Sequence, residues 1–280
     1  MSKAIAAFPS LLRTPHCLMP NGGFTMMIEL LDRSTLVLLN KKIKYPLSIA
    51  EKDYFLALIL KIIYDSSLKE KLIFKGGTAL HHVYLPHLRF SEDLDFSTNQ
   101  IPISLEELRN VFENYDFLTV KKEYISHATI KIQRLMFNGP LGQPNSLKIE
   151  IDFFQNVVLP AKNCVYHNRY GVKTKVRVMD IREIAAEKIR AMNDRIRYRD
   201  FYDFAMIGIK LHINFSEAIK LLKKKEIRKA ISNRNILCNW ELAKKEKDNE
   251  MLSISCAEEL ADKDIEKQIQ SLHFSKISTF

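Results

Sequence analysis

Between residues 117 and 178 apolar and polar side chains alternate in four short blocks, and at Asp180 that period of two gives way to a helical period running toward the C-terminus. A period of two sets successive side chains on opposite faces of a strand, whereas a period near 3.6 gathers them along one stripe of a helix. The blocks cover residues 118–121, 129–134, 147–153 and 174–178, with turn-forming Asn138-Gly139-Pro140 and Pro144-Asn145 among them, which predicts an antiparallel sheet. Upstream, apolar spacing predicts a helix over 48–69, a strand at 72–75, a Gly76-Gly77 turn into a helix opening at Thr78, a strand at 93–97 and a helix over 104–115. Ser104 is placed to cap that last helix, with Glu107 at the capping-box position, and Asp180 with Glu183 repeats the pattern after the sheet. Residues 1–25, with three prolines and Gly22-Gly23, read as an irregular leader. The expected class is α+β: a mixed or antiparallel sheet flanked by helices over 1–178, then a helical region over 179–280.

Charge narrows the range of partners. The chain carries a net +10, and residues 162–199 hold eleven basic side chains against four acidic ones. Such an excess suits a polyanion, although a solvated helical face has the same composition. Cys17, Cys164, Cys238 and Cys256 are scattered without paired spacing, which argues against a disulfide framework or a zinc site and fits a reducing compartment. No apolar run reaches the length of a membrane span, and the short apolar stretch before Pro9 is too brief for a signal core, so a cytoplasmic protein without a membrane partner is expected.

Four segments carry chemistry. Lys75-Gly76-Gly77-Thr78, between a strand and a helix, lets backbone approach a ligand closely and offers amides and a hydroxyl to a phosphate-sized anion. In Ser91-Glu92-Asp93-Leu94-Asp95-Phe96, strand alternation puts Asp93 and Asp95 on one face and Leu94 and Phe96 in the core. Paired carboxylates repel unless a cation sits between them, and Mg²⁺ (or Mn²⁺) is a hard ion that takes oxygen ligands. In Lys148-Ile149-Glu150-Ile151-Asp152-Phe153 the acids share the face opposite the isoleucines. With this strand beside 93–97, Asp152 is expected to complete a three-carboxylate cluster, the arrangement that holds two metals for phosphoryl or nucleotidyl transfer. Over 180–203, Lys188 falls within an apolar stripe, where an ammonium is costly unless it reaches an anion or snorkels to solvent. Arg195, Arg199 and Asp203 recur at intervals of four, and an Arg199–Asp203 helical salt bridge is the plain explanation for part of that spacing.

In this order the segments resemble the AbiEii/AbiGii-type nucleotidyltransferase toxins of the DNA polymerase β-like superfamily. The matching runs are F-K-G-G-T-A-L at 74–80, R-F-S-E-D-L-D-F at 89–96, I-E-I-D at 149–152, I-A-A-E-K-I-R-A at 184–191 and R-Y-R-D-F-Y-D at 197–203. The resemblance implies a nucleotidyltransferase core and a toxin role in a bacterial toxin–antitoxin or phage-defence pair of the abortive-infection type, with a cognate antitoxin. It implies that Lys75, Gly76, Gly77, Thr78 and Ser91 surround the phosphates of a nucleoside triphosphate (NTP), that Asp93 and Asp95 ligate the metal, and that Asp152 is the third carboxylate, binding a second metal or accepting the nucleophile's proton. Lys188 would grip the triphosphate, and either Asp200 or Asp203 would complete the site. An RNA acceptor such as the tRNA 3′ end would lie on Arg190, Arg195 and Arg199. Rival readings are the same fold with a protein or small-molecule acceptor, a non-catalytic nucleotide- or RNA-binding module, and a nuclease. His81, His82 and His87 are read as bystanders, Trp240 as core, and Lys223-Lys224-Lys225 as a solvated helical edge.

Overall fold

The structure, a computed structural model, describes residues 16–18, 24–26, 28–42, 44–98, 101–225, 227 and 229–278. Most of the leader expected over 1–25 lies outside them; within it, β1 (His16–Leu18) pairs with β2 (Phe24–Met26). Helix α1 (Arg33–Asn40) starts on an Asp32 cap, and α2 (Leu47–Asp65) follows. Burial on α2 is nearly continuous from Asp53 to Leu60, wider than the one stripe its spacing suggests, because the helix is enclosed between α1, α4 (Leu105–Glu113) and the sheet. A helix that is apolar all round belongs inside a core.

The main sheet has seven strands: β3 (Leu72–Lys75), β4 (Asp93–Thr98), β5 (Leu118–Ile125), β6 (Thr129–Asn138), β7 (Pro144–Asp152), β8 (Lys162–Val165) and β9 (Lys175–Val178), in the order β5-β6-β7-β4-β3-β9-β8. The sheet is mixed. β5, β6 and β7 form the expected antiparallel meander, but β7 lies parallel to β4 and β9 parallel to β3. Within 117–178 the pairs β5–β6, β6–β7 and β8–β9 are antiparallel as expected, and the parallel pairs join that stretch to β4 and β3 upstream; alternation reports which face a side chain takes and is silent on that direction. Between β3 and β4 the chain makes a four-residue helix, α3 (Gly76–Ala79), and a wide turn at Leu80–Tyr84.

Ser104 caps α4 by accepting from the Glu107 amide, and Asp180 caps α5 (Ile181–Asp194) by accepting from the Arg182 amide, as expected. Then come α6 (Tyr198–Leu211), α7 (Phe215–Leu222), α8 (Asn233–Ala243), α9 (Lys247–Ile254) and α10 (Asp262–Gln270). The C-terminal region is not wholly helical: β10 (Ile231–Ser232) pairs with β11 (Lys276–Ile277). Trp240 is buried against Tyr198 and Phe201, as expected of a core residue. One apolar cluster runs from Leu36 to Ile277, so the core beneath the sheet continues into the helices packed on α5. Among the described residues no helix is long and apolar enough to cross a membrane.

Candidate active site

The site is built on the edge shared by β3, β4 and β7. Leu94 and Phe96 are fully buried, which turns Asp93 and Asp95 to the opposite face together. Parallel register sets Lys148 across from Asp93, Glu150 across from Asp95 and Asp152 across from Ser97, while Lys75 of β3 faces Asp95 from the other side. Burial, and then the neighbouring Asp93, push the Asp95 carboxyl up to about 6.

The expected three-carboxylate cluster does not close in this register. Glu150, not Asp152, stands opposite Asp95, and it is turned to Lys131 at 3.0 Å and Lys148 at 3.2 Å. Asp152 lies one alternation farther along β7: its Oδ1 accepts from the amides of Phe154 and Gln155, and its Oδ2 faces Lys75 Nζ at 3.2 Å. Among the described residues no group of three or more His, Cys, Asp or Glu side chains is arranged to hold a metal ion.

The glycine turn fits against this row of acids. Gly76 has φ +79°, and a Cβ there would stand 2.5 Å from Asp95 Oδ2. A Cβ on Gly77 would stand 2.9 Å from Ser91 Oγ. Only glycine lets the turn approach both side chains this closely. Thr78 sits elsewhere than expected. It is buried, and its hydroxyl lies 2.5 Å from the Asp93 carbonyl and 3.0 Å from Ser91 Oγ, so it braces the turn from behind.

The opposite wall comes from α5, α6 and the link between them. Lys188 is buried with Nζ 3.0 Å from Asp200 Oδ1 and 2.6 Å from Asp203 Oδ2, which answers why an ammonium lies in an apolar stripe. Asp203 also receives Arg89 through Nε and Nη2, both at 2.7 Å, and faces His81 Nε2 at 2.9 Å. Burial pushes the Asp203 carboxyl up, but Arg89 and then Lys188 outweigh it and hold the group well below its usual range. Against the same burial, Lys188 and Arg195 hold Asp200 at about 2. Arg195 bridges Asp200 with Nε at 2.6 Å and Nη2 at 3.0 Å. The helical Arg199–Asp203 pair is absent, because Asp203 faces inward to Arg89 and Lys188.

Below the cavity lies a chain of alternating charges. Lys75 Nζ is 3.5 Å from Glu187 Oε1, which is 3.1 Å from Lys225 Nζ. Lys225 also donates to Glu183 at 2.5 Å and to the Asn156 carbonyl at 3.0 Å, while Glu183 accepts from the amides of Val158 and Leu159. Lys223 and Lys224 are exposed as expected, but Lys225 is fully buried, because two acids of α5 need its charge.

These walls enclose a cavity of about 600 Å³. Every site residue expected from the sequence lines it except Thr78 and Asp203, which stand directly behind. Arg89, Lys148, Glu150, Glu187, Asp194 and Arg197 line it too and were not singled out. A signal existed for two of them: Lys148 and Glu150 share the Asp152 face by alternation. Such an arrangement can hold a polyanion against a pair of carboxylates, the demand of phosphoryl chemistry.

Comparison with known proteins gives the same direction. A family model described as "Nucleotidyl transferase AbiEii toxin, Type IV TA system" matches residues 58–274. No curated protein sequence matches the chain. Among solved structures, MenT4, a nucleotidyltransferase toxin from Mycobacterium tuberculosis H37Rv, superposes with TM-score 0.54 at 21% identity, over 67% of this chain and 68% of that one. JHP933 from Helicobacter pylori gives TM-score 0.49 at 18% identity, over 81% of this chain and 91% of its own.

Proposed function

Because this chain belongs to the AbiEii nucleotidyltransferase toxin family of type IV toxin–antitoxin systems, we propose that it moves a nucleoside monophosphate from an NTP onto a hydroxyl of RNA, with the tRNA 3′ end as the leading acceptor. The observation that carries this reading is the Asp93–Asp95 pair opening into the same cavity as the Gly76-Gly77 turn, Lys188 and the arginines of the α5–α6 link. A nuclease has no need of a glycine turn against its acids together with so many cations.

The residues fit a divalent cation. Two carboxylates lie side by side, the Asp95 carboxyl gains nothing from its acidic neighbour, and the missing Cβ of Gly76 leaves Asp95 Oδ2 uncovered. Mg²⁺ commonly takes one or two protein carboxylates and completes its shell with water and substrate phosphates, and Mn²⁺ accepts the same donors. Asp93 and Asp95 would hold the ion, which when bound supplies positive charge against the charge building on the reacting phosphate.

The remaining steps belong to the chain itself. The acceptor oxygen bonds to the α-phosphorus, the bond from that phosphorus to the bridging oxygen breaks, and pyrophosphate leaves with the electron pair. Asp152 takes the acceptor's proton at Oδ2, which has Lys75 as its partner, whereas two amides occupy Oδ1. Lys188, fixed at the wall by Asp200 and Asp203, faces the departing phosphates, with the Gly76-Gly77 backbone and the Ser91 hydroxyl across the cavity. Arg197 and Arg199, with half-exposed Arg195, offer the cavity mouth to RNA phosphates. The family pairs its toxins with an antitoxin, the protein partner expected here.

The test is incubation of purified protein with Mg²⁺, each α-labelled NTP in turn, and bulk tRNA. Label should join the RNA with at least one NTP, and Asp93→Ala should abolish it. Label entering protein instead, or uptake unchanged in Asp93→Ala, overturns the reading.

A further inference from the structure

Five cations of the cavity wall are already matched to acids: Lys75 to Asp152 and Glu187, Arg89 to Asp203, Lys148 to Glu150, Lys188 to Asp200 and Asp203, and Arg195 to Asp200. Three others, Arg190, Arg197 and Arg199, line the cavity with guanidinium groups that form no ion pair within 4.0 Å among the described residues, although the Arg199 amide donates to Glu250 Oε2 at 3.2 Å. Arg197 is exposed at the mouth. Arg190 differs from it in one respect: its Nη1 is buried and has no hydrogen-bond partner.

A buried guanidinium nitrogen without an acceptor is costly, and the cost is removed when an anion fills the space before it. Arg190 lies close enough to Lys75 and Glu187 to act electrostatically on both, which sets it at the β3 side of the cavity, where the Gly76-Gly77 turn enters. The planar guanidinium fork also matches phosphate oxygens in pairs, as an ammonium does not.

We propose that Arg190 is the residue that receives the β- and γ-phosphates of the donor, and so holds the leaving pyrophosphate, rather than contacting RNA. Lys188 faces the same phosphates with its charge shared between two carboxylates, and Arg190 adds charge that no carboxylate holds within ion-pair distance. This assignment rests on the nucleotidyl-transfer reading for the identity of the donor, but its anion site is open to measurement on its own.

The experiment titrates wild type, Arg190→Met, Arg190→Lys and Arg197→Gln with inorganic tripolyphosphate and with each nucleoside monophosphate, in Mg²⁺ buffer, by calorimetry. Arg190→Met is expected to weaken tripolyphosphate binding by roughly 10–100-fold, the worth of a hydrogen bond to a charged group. Monophosphate affinity should stay within about twofold, since the lost contact lies beyond the α-phosphate. Arg190→Lys should restore part of the loss, and Arg197→Gln should keep tripolyphosphate affinity. Equal tripolyphosphate binding by wild type and Arg190→Met, or an equal loss in Arg197→Gln, overturns the proposal. A labelled-NTP assay on the same samples separates the two readings. A wild type that transfers nothing yet loses tripolyphosphate through Arg190→Met leaves the anion site standing and removes the transferase assignment. A wild type that transfers normally, beside an Arg190→Met protein with unchanged tripolyphosphate affinity, does the reverse.

Discussion

Asp203 accepts from Arg89 and Lys188 and faces His81 with none of its surface reaching water, so its charge is balanced from several sides. Removing that charge by Asp203→Asn leaves two buried cations short of a partner, a loss of about 3–5 kcal/mol. A urea titration should show it as a clearly lowered midpoint. Asp95 behaves differently, because burial and Asp93 already disfavour its ionised form. Asp95→Asn should therefore keep the wild-type midpoint or exceed it, while transfer falls by at least about a hundredfold. If Asp95→Asn unfolds as early as Asp203→Asn, the division of labour drawn here fails. Strand alternation made Asp93 and Asp95 legible in the sequence, and the Lys188 position announced that an anion must lie near. That Asp200 lines the cavity while Asp203 stands behind it was not legible, since Arg89 and His81, which hold Asp203 there, lie 114 and 122 residues away along the chain from it.

The glycine turn shows what a single element contributes. An alanine at position 76 has to accept a left-handed backbone and place its Cβ against the Asp95 carboxylate, whereas one at 77 meets the rotatable hydroxymethyl of Ser91 and, at 3.1 Å, Arg89 Nη2, with no backbone strain. Gly76→Ala should cost about 1–3 kcal/mol of stability and most of the transfer rate, with Gly77→Ala milder on both counts. Denaturation midpoints and initial rates measured side by side check this, and equal losses at the two positions contradict it. Element identity was broadly readable: both caps, the strand–glycine–helix turn and the three-strand meander fall where local spacing sets them. The pairing of β7 with β4 was beyond reach. The register of that parallel pair sets Glu150 rather than Asp152 opposite Asp95, and no periodicity encodes it. The full enclosure of α2 was missed for a related reason, because apolar spacing along one helix does not reveal how many layers will close around it.

For the molecule as a whole, buried titratable groups set the response to acid. His81, His82 and His87 are each depressed from 6.5 to about 4, burial being the largest cause. A base with its folded pKa below its unfolded one binds fewer protons when folded, so stability is held above about 6.5 and lost as pH falls toward 4. Asp53 and Asp95, raised to about 6, act with the opposite sign between 3.8 and 6. Three imidazoles outweigh two carboxylates, and they act without that opposition between about 6.5 and 6. The urea midpoint should fall from pH 7 to pH 6; a flat or rising profile contradicts this. The basic excess over 162–199 was a global signal read correctly as a sum and only partly as a surface. Lys162 and Arg182 both close on Asp180, and Arg177 on Glu70, so part of that charge is matched by acids of the same chain. Deeper still, and outside that stretch, is Lys225, which reaches back from the turn after α7 to Glu183 and Glu187. Cut the chain ahead of it and Glu183 is stranded in a dry interior, Glu187 is left with Lys75 alone, and the loop behind Asp152 loses its anchor. The last quarter of the polypeptide is thus a keystone rather than an appendage, and a shortened form ending at His212 would collapse instead of yielding a leaner catalyst.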